Sequence, residues 1–230
     1  MTTVLFDIDG TLIQTGGAGK IAFAETFREL FGIEEISSNV GFAGRSDRAI
    51  AHELMELHDI EANPENWQRF TTAFLPRLQQ VLPRSAGAIL PGVVELLDHL
   101  ATLPHVTIGL LTGNIAAGAK AKLSHYQLFD RFHFGGFGDD WTDRNDIAVA
   151  ALQAARTHLN GSSSNGNGGV IVIGDTPADI RCARAIDAFA VAVATGGATL
   201  EQLAAAQPDL LVADLTDSRE LLLQVNSVIA

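Results

Sequence analysis

Two aspartates stand one residue apart near the start of the chain, in Val4-Leu5-Phe6-Asp7-Ile8-Asp9-Gly10-Thr11. The apolar run before them has the character of a buried strand. Such a strand accepts no carboxylate in its middle, so Asp7 and Asp9 belong where it emerges. Side chains two apart on a strand share a face, which lets both carboxylates address one site if that geometry continues past Asp7. Carboxylates this close repel unless a cation or a shared proton offsets them. The pair therefore asks for a divalent metal. Mg2+ suits it, being a hard ion commonly held by one or two carboxylates together with substrate phosphate. The plainer alternative is a solvated acidic turn or a helix cap at the strand end.

Two further polar motifs follow apolar runs in the same way, Leu110-Leu111-Thr112-Gly113-Asn114 and Gly174-Asp175-Thr176-Pro177-Ala178-Asp179. In an open α/β sheet, ligands sit outside the carboxyl ends of the strands, so the three motifs can converge on one point. In this order they resemble the haloacid dehalogenase (HAD) superfamily of phosphohydrolases, specifically its phosphoglycolate-phosphatase-like branch, and the resemblance runs over nearly the whole chain. It implies that Asp7 is the nucleophile and forms an aspartyl-phosphate. Asp9 is then general acid towards the leaving group and general base towards water, with its backbone carbonyl near Mg2+. Gly10 and Thr11 belong to the substrate-binding turn. The Thr112 hydroxyl and the N–H groups of Gly113 and Asn114, where a helix begins, form a phosphate cradle, unless Thr112 or Asn114 is only a helix cap. Asp175 completes the metal site, and Asp179 is close enough in sequence to reach the same ion or one of its waters.

The family's usual lysine, often followed by proline before the helix that precedes the last motif, is missing. That region reads Gly138-Asp139-Asp140-Trp141-Thr142-Asp143-Arg144-Asn145-Asp146. Arg144 is the natural substitute and is assigned a catalytic role beside Asp7, although a planar guanidinium does not reproduce an ammonium point charge. Lys122 is the second candidate, with a surface charge as its ordinary role. Gly41-Phe42-Ala43-Gly44-Arg45-Ser46-Asp47 resembles the substrate-facing loop of this branch, which makes Arg45 a candidate for binding a substrate carboxylate such as that of phosphoglycolate. Pairing with Asp47 or facing solvent are the alternatives. Cys182, the one cysteine, reads as core packing and excludes an intrachain disulfide. The seven histidines lack the spacing of a zinc site.

The elements around these motifs can be read from periodicity. Phe23, Phe27, Leu30 and Phe31 recur at helical spacing and end at Gly32; a second helix, capped by Ser46 or Asp47, carries Ile50, Leu54 and Leu57. A third carries Trp67, Phe70, Phe74, Leu78 and Val81, with Pro76 expected to kink or split it. Pro91-Gly92 opens a helix, and only then comes a second strand, Val106 to Leu111. An ordinary crossover needs a dozen or more residues, so a helical module is inserted between the first two strands. The expected division is a catalytic core of residues 1–15 and 88–230 and a helical cap of residues 16–87, which the resemblance identifies with the family's mobile cap. Beyond it, strands near Phe132 to Phe134, Val170 to Ile173, Phe189 to Val193 and Leu210 to Val212 alternate with helices. The fold class is therefore α/β, a Rossmann-like parallel sheet with helices on both faces and an inserted all-helical cap. The polar run 160–169 reads as a solvated loop and an insertion without function.

A net charge of −12 argues against nucleic acid or an anionic membrane as partner. It leaves room for a small phosphorylated metabolite, since a metal and a few donors can reverse the field inside one cleft. The N-terminus enters a strand at once, no apolar run is long enough to span a membrane, and a cytoplasmic monomer or weak homodimer is expected. The leading reading is a Mg2+-dependent phosphatase of a small phosphomonoester. The alternatives are a phosphosugar mutase of the β-phosphoglucomutase type, which by resemblance shares every catalytic residue named above, a haloacid dehalogenase, and a phosphometabolite sensor that does no chemistry.

Overall fold

Alternate residues of each strand feed two apolar layers, and that alternation fixes the architecture. The structure, a computed structural model, describes residues 1–159 and 169–227. In chain order the elements are β1 (Thr2–Phe6), β2 (Ile13–Gln14), α1 (Ala18–Phe31), α2 (Asp47–Leu57), α3 (Pro64–Val81), β3 (Ala88–Ile89), α4 (Val93–Ala101), β4 (Val106–Leu111) and α5 (Ala116–His125). There follow β5 (Gly135–Gly136), α6 (Arg144–His158), β6 (Val170–Gly174), α7 (Pro177–Ala185), β7 (Phe189–Val193), α8 (Leu200–Ala205), β8 (Leu210–Val212) and α9 (Arg219–Ser227). Six strands form one parallel sheet in the order β5-β4-β1-β6-β7-β8. Val4, Phe6, Leu110, Ile171 and Ile173 point to the layer covered by α4, α5 and α9. Leu5, Leu111, Val172 and Ala190 point to the layer under α6, α7 and α8. Burial on both faces is why these strands read as continuous apolar runs. Because β4 and β6 flank β1 on opposite sides, the strand order reverses at β1, and a crevice opens at its carboxyl end.

The inserted region is helical, as the periodicity requires. Phe23, Phe27, Phe70 and Phe74 from α1 and α3 are buried together with Ile50, Leu54 and Met55 of α2. The Phe23 ring lies 4.8 Å from Phe70 and 4.9 Å from Phe74, centroid to centroid. Each such ring contributes about 1.5–3 kcal/mol through burial alone. This cluster is separate from the two sheet layers and takes Ile115 and the half-buried Ala121 from α5 and its N-cap. Ile13–Gln14 pairs antiparallel with Ala88–Ile89, so a two-stranded ribbon ties together the points where the chain enters and leaves the cap region. No described helix is long and apolar enough to cross a membrane.

Three local expectations need correction. Helix α3 runs through Pro76 without a break. Pro76 is exposed and so is Thr72, whose carbonyl loses its partner to the proline and can be met by water. Leu57 is 54% exposed, because the buried face of α2 is Ile50, Ala51, Leu54 and Met55. The strand expected at Phe132 to Phe134 forms its ladder with β4 at Gly135 and Gly136. Helix α6 explains Gly136, where a Cβ would overlap the Ile147 carbonyl oxygen, and the Phe137 ring crowds Gly135. The run 160–169 lies, apart from Gly169, outside the described residues.

Candidate active site

The three motifs meet at the carboxyl ends of β1, β4 and β6. Asp7 follows β1 directly, and its N–H donates to the Ile173 carbonyl at 2.9 Å, which keeps it in strand register. Asp175 follows β6, and Asp179 lies in the first turn of α7. There the Thr176 N–H and hydroxyl donate to Asp179 Oδ2 at 3.0 and 2.7 Å, a capping box that fixes the carboxylate. One oxygen each from Asp7, Asp175 and Asp179 lies within 4.8 Å of the others, and all three residues are buried. Thr11 stands beside them, its hydroxyl donating to Asp175 Oδ1 at 3.4 Å. Gly10 is tied down by Thr195, whose hydroxyl donates to its carbonyl at 2.7 Å.

Arg144 is the cation that touches this cluster. Its Nη2 pairs closely with Asp179 Oδ1 and lies 3.6 Å from Asp7 Oδ1. Its Nε is buried without a partner among the described residues. Three carboxylates and one guanidinium leave a formal charge of −2 when all are ionised. Burial dominates the protonation of Asp7 and Asp175. It pushes Asp7 up to about 7 despite Arg144, and Asp175 up to about 8 with Asp179 and Asp7 adding repulsion. This deficit of positive charge, with oxygen donors of the right spacing, fits a divalent cation.

Asp9 does not join the cluster with its side chain. Its Oδ2 accepts from Lys122 Nζ at 2.6 Å and from Asn114 Nδ2 at 2.8 Å. Lys122, for which a surface role was the ordinary expectation, is only 5% exposed. Burial works against its charge, but Asp9 and Asp47 outweigh that and hold its pKa above the usual value. Asn114 donates in addition to Thr112 Oγ1, at 2.8 Å from its side chain and 3.3 Å from its backbone N–H. With both lone pairs approached by donors, the Thr112 hydroxyl proton is the part left for a ligand oxygen.

The cap loop closes over this group. Ser46 is the N-cap of α2, its Oγ accepting from Ala49 N–H at 3.2 Å, and it also donates to the Thr142 carbonyl at 3.1 Å. Asp47, the other candidate for that cap, reaches instead across to the core. Its Oδ2 accepts from the Ile115 N–H at 2.9 Å, and its own N–H donates to the Gly113 carbonyl at 2.7 Å. Asp139 takes the next amide, Ala116 N–H, at 2.7 Å. The first turn of α5 is thus capped from two distant segments. Burial pushes the Asp47 carboxyl up to about 6, against the pull of Lys122 and the Ile115 N–H. Arg45 pairs with Glu53 rather than Asp47, and its guanidinium also donates to the carbonyls of Gly41 and Ala49, each at 3.3 Å.

Between cap and core lies a cavity of about 420 Å³, lined by Asp7, Asp9, Thr112 and Arg144 at its polar end and by Phe23, Phe42 and Phe74 at the other. Gly113 sits where the two parts touch, and a Cβ there would overlap the Arg45 carbonyl oxygen. Backbone cannot yield as a flexible side chain can. Gly113→Ala is therefore expected to lift the Arg45–Asp47 loop and lower kcat/KM about 100-fold, the usual cost of a displacement near 1 Å. Unchanged kinetics would show that the loop does not need this contact.

Of the candidate site residues, Thr11 and Asp179 stand outside the lining of this cavity and the others, Lys122 included, line it. Asp47 and Asp139 were not foreseen as partners of α5. Lys122 carried a readable signal, since it falls three and four residues after Ala119 and Gly118, on the buried face of α5.

Residues 4–193 match the family model described as haloacid dehalogenase-like hydrolase. The chain is 29% identical over 218 residues to a probable phosphatase IndB of Dickeya dadantii, covering 91% of this chain and 88% of that one. It is 26% identical to a phosphoglycolate phosphatase of Synechococcus elongatus, covering 94% and 95% of the two chains. Among solved structures, that of CbbY from Rhodobacter sphaeroides in complex with phosphate superposes with a TM-score of 0.71 at 18% identity, over 95% of this chain and 96% of the other.

Proposed function

The chain belongs to the haloacid dehalogenase-like hydrolases and is an enzyme of the phosphatase type, and from that premise we propose that it hydrolyses a small-metabolite phosphomonoester through an aspartyl-phosphate on Asp7, with Mg2+ as cofactor. The observation that carries this reading is the juxtaposition of Asp7, Asp175 and Asp179 under Arg144 at the polar end of the cavity between cap and core. Asp7, Asp175 and Asp179 would hold the ion, with the Asp9 carbonyl as a further oxygen. Bound there, the cation supplies the missing positive charge, which keeps the carboxylates ionised and offsets charge on the phosphoryl oxygens.

An Asp7 oxygen attacks phosphorus in line, and the bond from phosphorus to the ester oxygen breaks. Asp9 passes a proton to that oxygen, so an alcohol leaves. Water then attacks the phosphoryl group on Asp7, Asp9 takes back a proton, and phosphate departs with Asp7 restored. The free Thr112 proton is a donor suited to the phosphoryl oxygens, joined by the Gly113 amide and by Arg144, which lines the cavity beside Asp7. The cap, taken as residues 16–87, excludes bulk water while this happens.

The test is phosphate release from a panel of phosphomonoesters that includes phosphoglycolate and sugar phosphates, with and without Mg2+. Arg45 lines the cavity with one guanidinium nitrogen paired to Glu53, so phosphoglycolate tests whether it also takes a substrate carboxylate. No Mg2+-dependent release from any ester would sink the proposal.

A second readout concerns stability. In the metal-free fold Asp7 and Asp175 keep protons that the unfolded chain releases near 3.8. Their contribution to stability is whole below that pH and is lost as pH rises through about 7 to 8. Added Mg2+ competes with those protons, so its stabilisation should be larger at pH 8 than at pH 6. Thermal melts at the two pH values, with and without Mg2+, check this; an equal shift at both would contradict it.

A further inference from the structure

We propose that Lys122 is a positioning residue for the general acid, holding the Asp9 carboxylate in place together with Asn114 rather than replacing the family's phosphate-facing lysine. The inference rests on the reading above, in which Asp9 protonates the leaving oxygen.

The geometry is a closed triangle of side chains. Lys122 Nζ donates to Asp9 Oδ2 and to Asn114 Oδ1, each at 2.6 Å. Asn114 Nδ2 donates to the same Asp9 oxygen at 2.8 Å and to Thr112 Oγ1 at 2.8 Å. The amide orientation is fixed, because a flipped Asn114 would turn its NH2 towards the ammonium and leave two donors facing each other. Two donors meet on Oδ2 alone. The Asp9 side chain is otherwise 40% exposed and lines the cavity, so Oδ1 is the oxygen free to carry and deliver the proton.

Burial argues for a specific purpose. An ammonium taken out of water costs several kcal/mol unless it is paired and hydrogen-bonded. Lys122 meets that condition through Asp9 and Asn114, with the Asp47 charge nearby, and makes no ion pair with Asp7, Asp175 or Asp179. Arg144 already occupies the position beside Asp7. The two cations thus divide the work, one at the nucleophile and one at the acid. A carboxylate at the end of a strand has two free torsions, and a general acid is useful only within hydrogen-bond reach of the leaving oxygen. Lys122 and Asn114 remove that freedom.

Leaving-group chemistry distinguishes this role from a merely structural one. An alkoxide needs a proton to depart, whereas p-nitrophenolate does not. The comparison uses kcat/KM, which covers events up to transfer of the phosphoryl group to Asp7 and omits the later attack of water. For Lys122→Met, kcat/KM should fall about 100-fold on the best alkyl phosphate of the panel and less than about 5-fold on p-nitrophenyl phosphate, the same split as in Asp9→Asn. Asn114→Ala removes the other donor and should show a split of the same sign, so the inference stays testable if Lys122→Met does not fold. Equal losses on both substrates in whichever variant folds would overturn it. If wild type and Asp9→Asn behave as expected while the Lys122 and Asn114 variants do not split, the phosphatase mechanism stands and only this inference falls. If Asp9→Asn shows no split, both fall together.

Discussion

Asp7→Asn should abolish phosphatase turnover while making the metal-free protein more stable. Asparagine keeps the shape of the side chain but is no nucleophile towards phosphorus. The loss expected is about 10⁴-fold or more, in line with removal of a covalent nucleophile elsewhere. Stability moves the other way because the native carboxylate is buried against Asp179 and Asp9, with Arg144 only 3.6 Å away as compensation. A rise from 3.8 to about 7 represents on the order of 4 kcal/mol against the ionised form, at about 1.4 kcal/mol per pH unit. Asparagine escapes that cost. Kinetics with Mg2+ and thermal melts without it, both at pH 8, check the two halves. Residual turnover within tenfold of wild type would remove Asp7 from the mechanism, and a lower melting temperature would contradict the electrostatic account.

Arg144→Met should damage both properties together. The guanidinium pairs with Asp179, lies against Asp7 and is 8% exposed, so its loss leaves buried carboxylates without their cation. Breaking a buried pair from one side costs about 3–5 kcal/mol. In the proposed mechanism the phosphoryl group also loses a donor, and turnover should fall by about 10³-fold, within the range for comparable arginines. Mg2+ brings positive charge to the same carboxylates, so it should restore more of the melting temperature than of the activity. Arg144→Lys should recover little, because one ammonium cannot serve Asp179 and a phosphoryl oxygen with the same fork. A variant that melts like wild type and turns over normally would place the phosphate elsewhere.

The sheet and the cap were legible because their signals are local. Val170 to Ile173 is an unbroken apolar run, as a strand covered on both faces must be, and Phe23, Phe27, Phe70 and Phe74 repeat at helical spacing. The aspartates and Thr112 were legible because each ends such a run. What the sequence hid is non-local. Strand β5 is two glycines, one crowded by α6 and the other by the Phe137 ring, with no β-forming residue to announce it. The ribbon of β2 and β3 is two residues long on each side, too short for any period. Asp47 and Ile115 are 68 positions apart, and no pattern in either segment points to the other. Lys122 was misjudged by residue type, although its place on the helix face of Gly118 and Ala119 pointed inward.

The bond from the Ile115 amide to Asp47 gives the molecule its own clock. The acceptor is supplied by the cap and the donor by the core, so the amide proton is guarded for as long as the two stay docked. Separation exposes it to solvent, and its replacement by deuterium reports the free energy of that opening. Neighbouring Ala116, held by Asp139 from the core itself, serves as the internal reference. The ratio of the two exchange rates, followed as substrate is added, would measure how far substrate shifts the opening of the chamber without any label or dye.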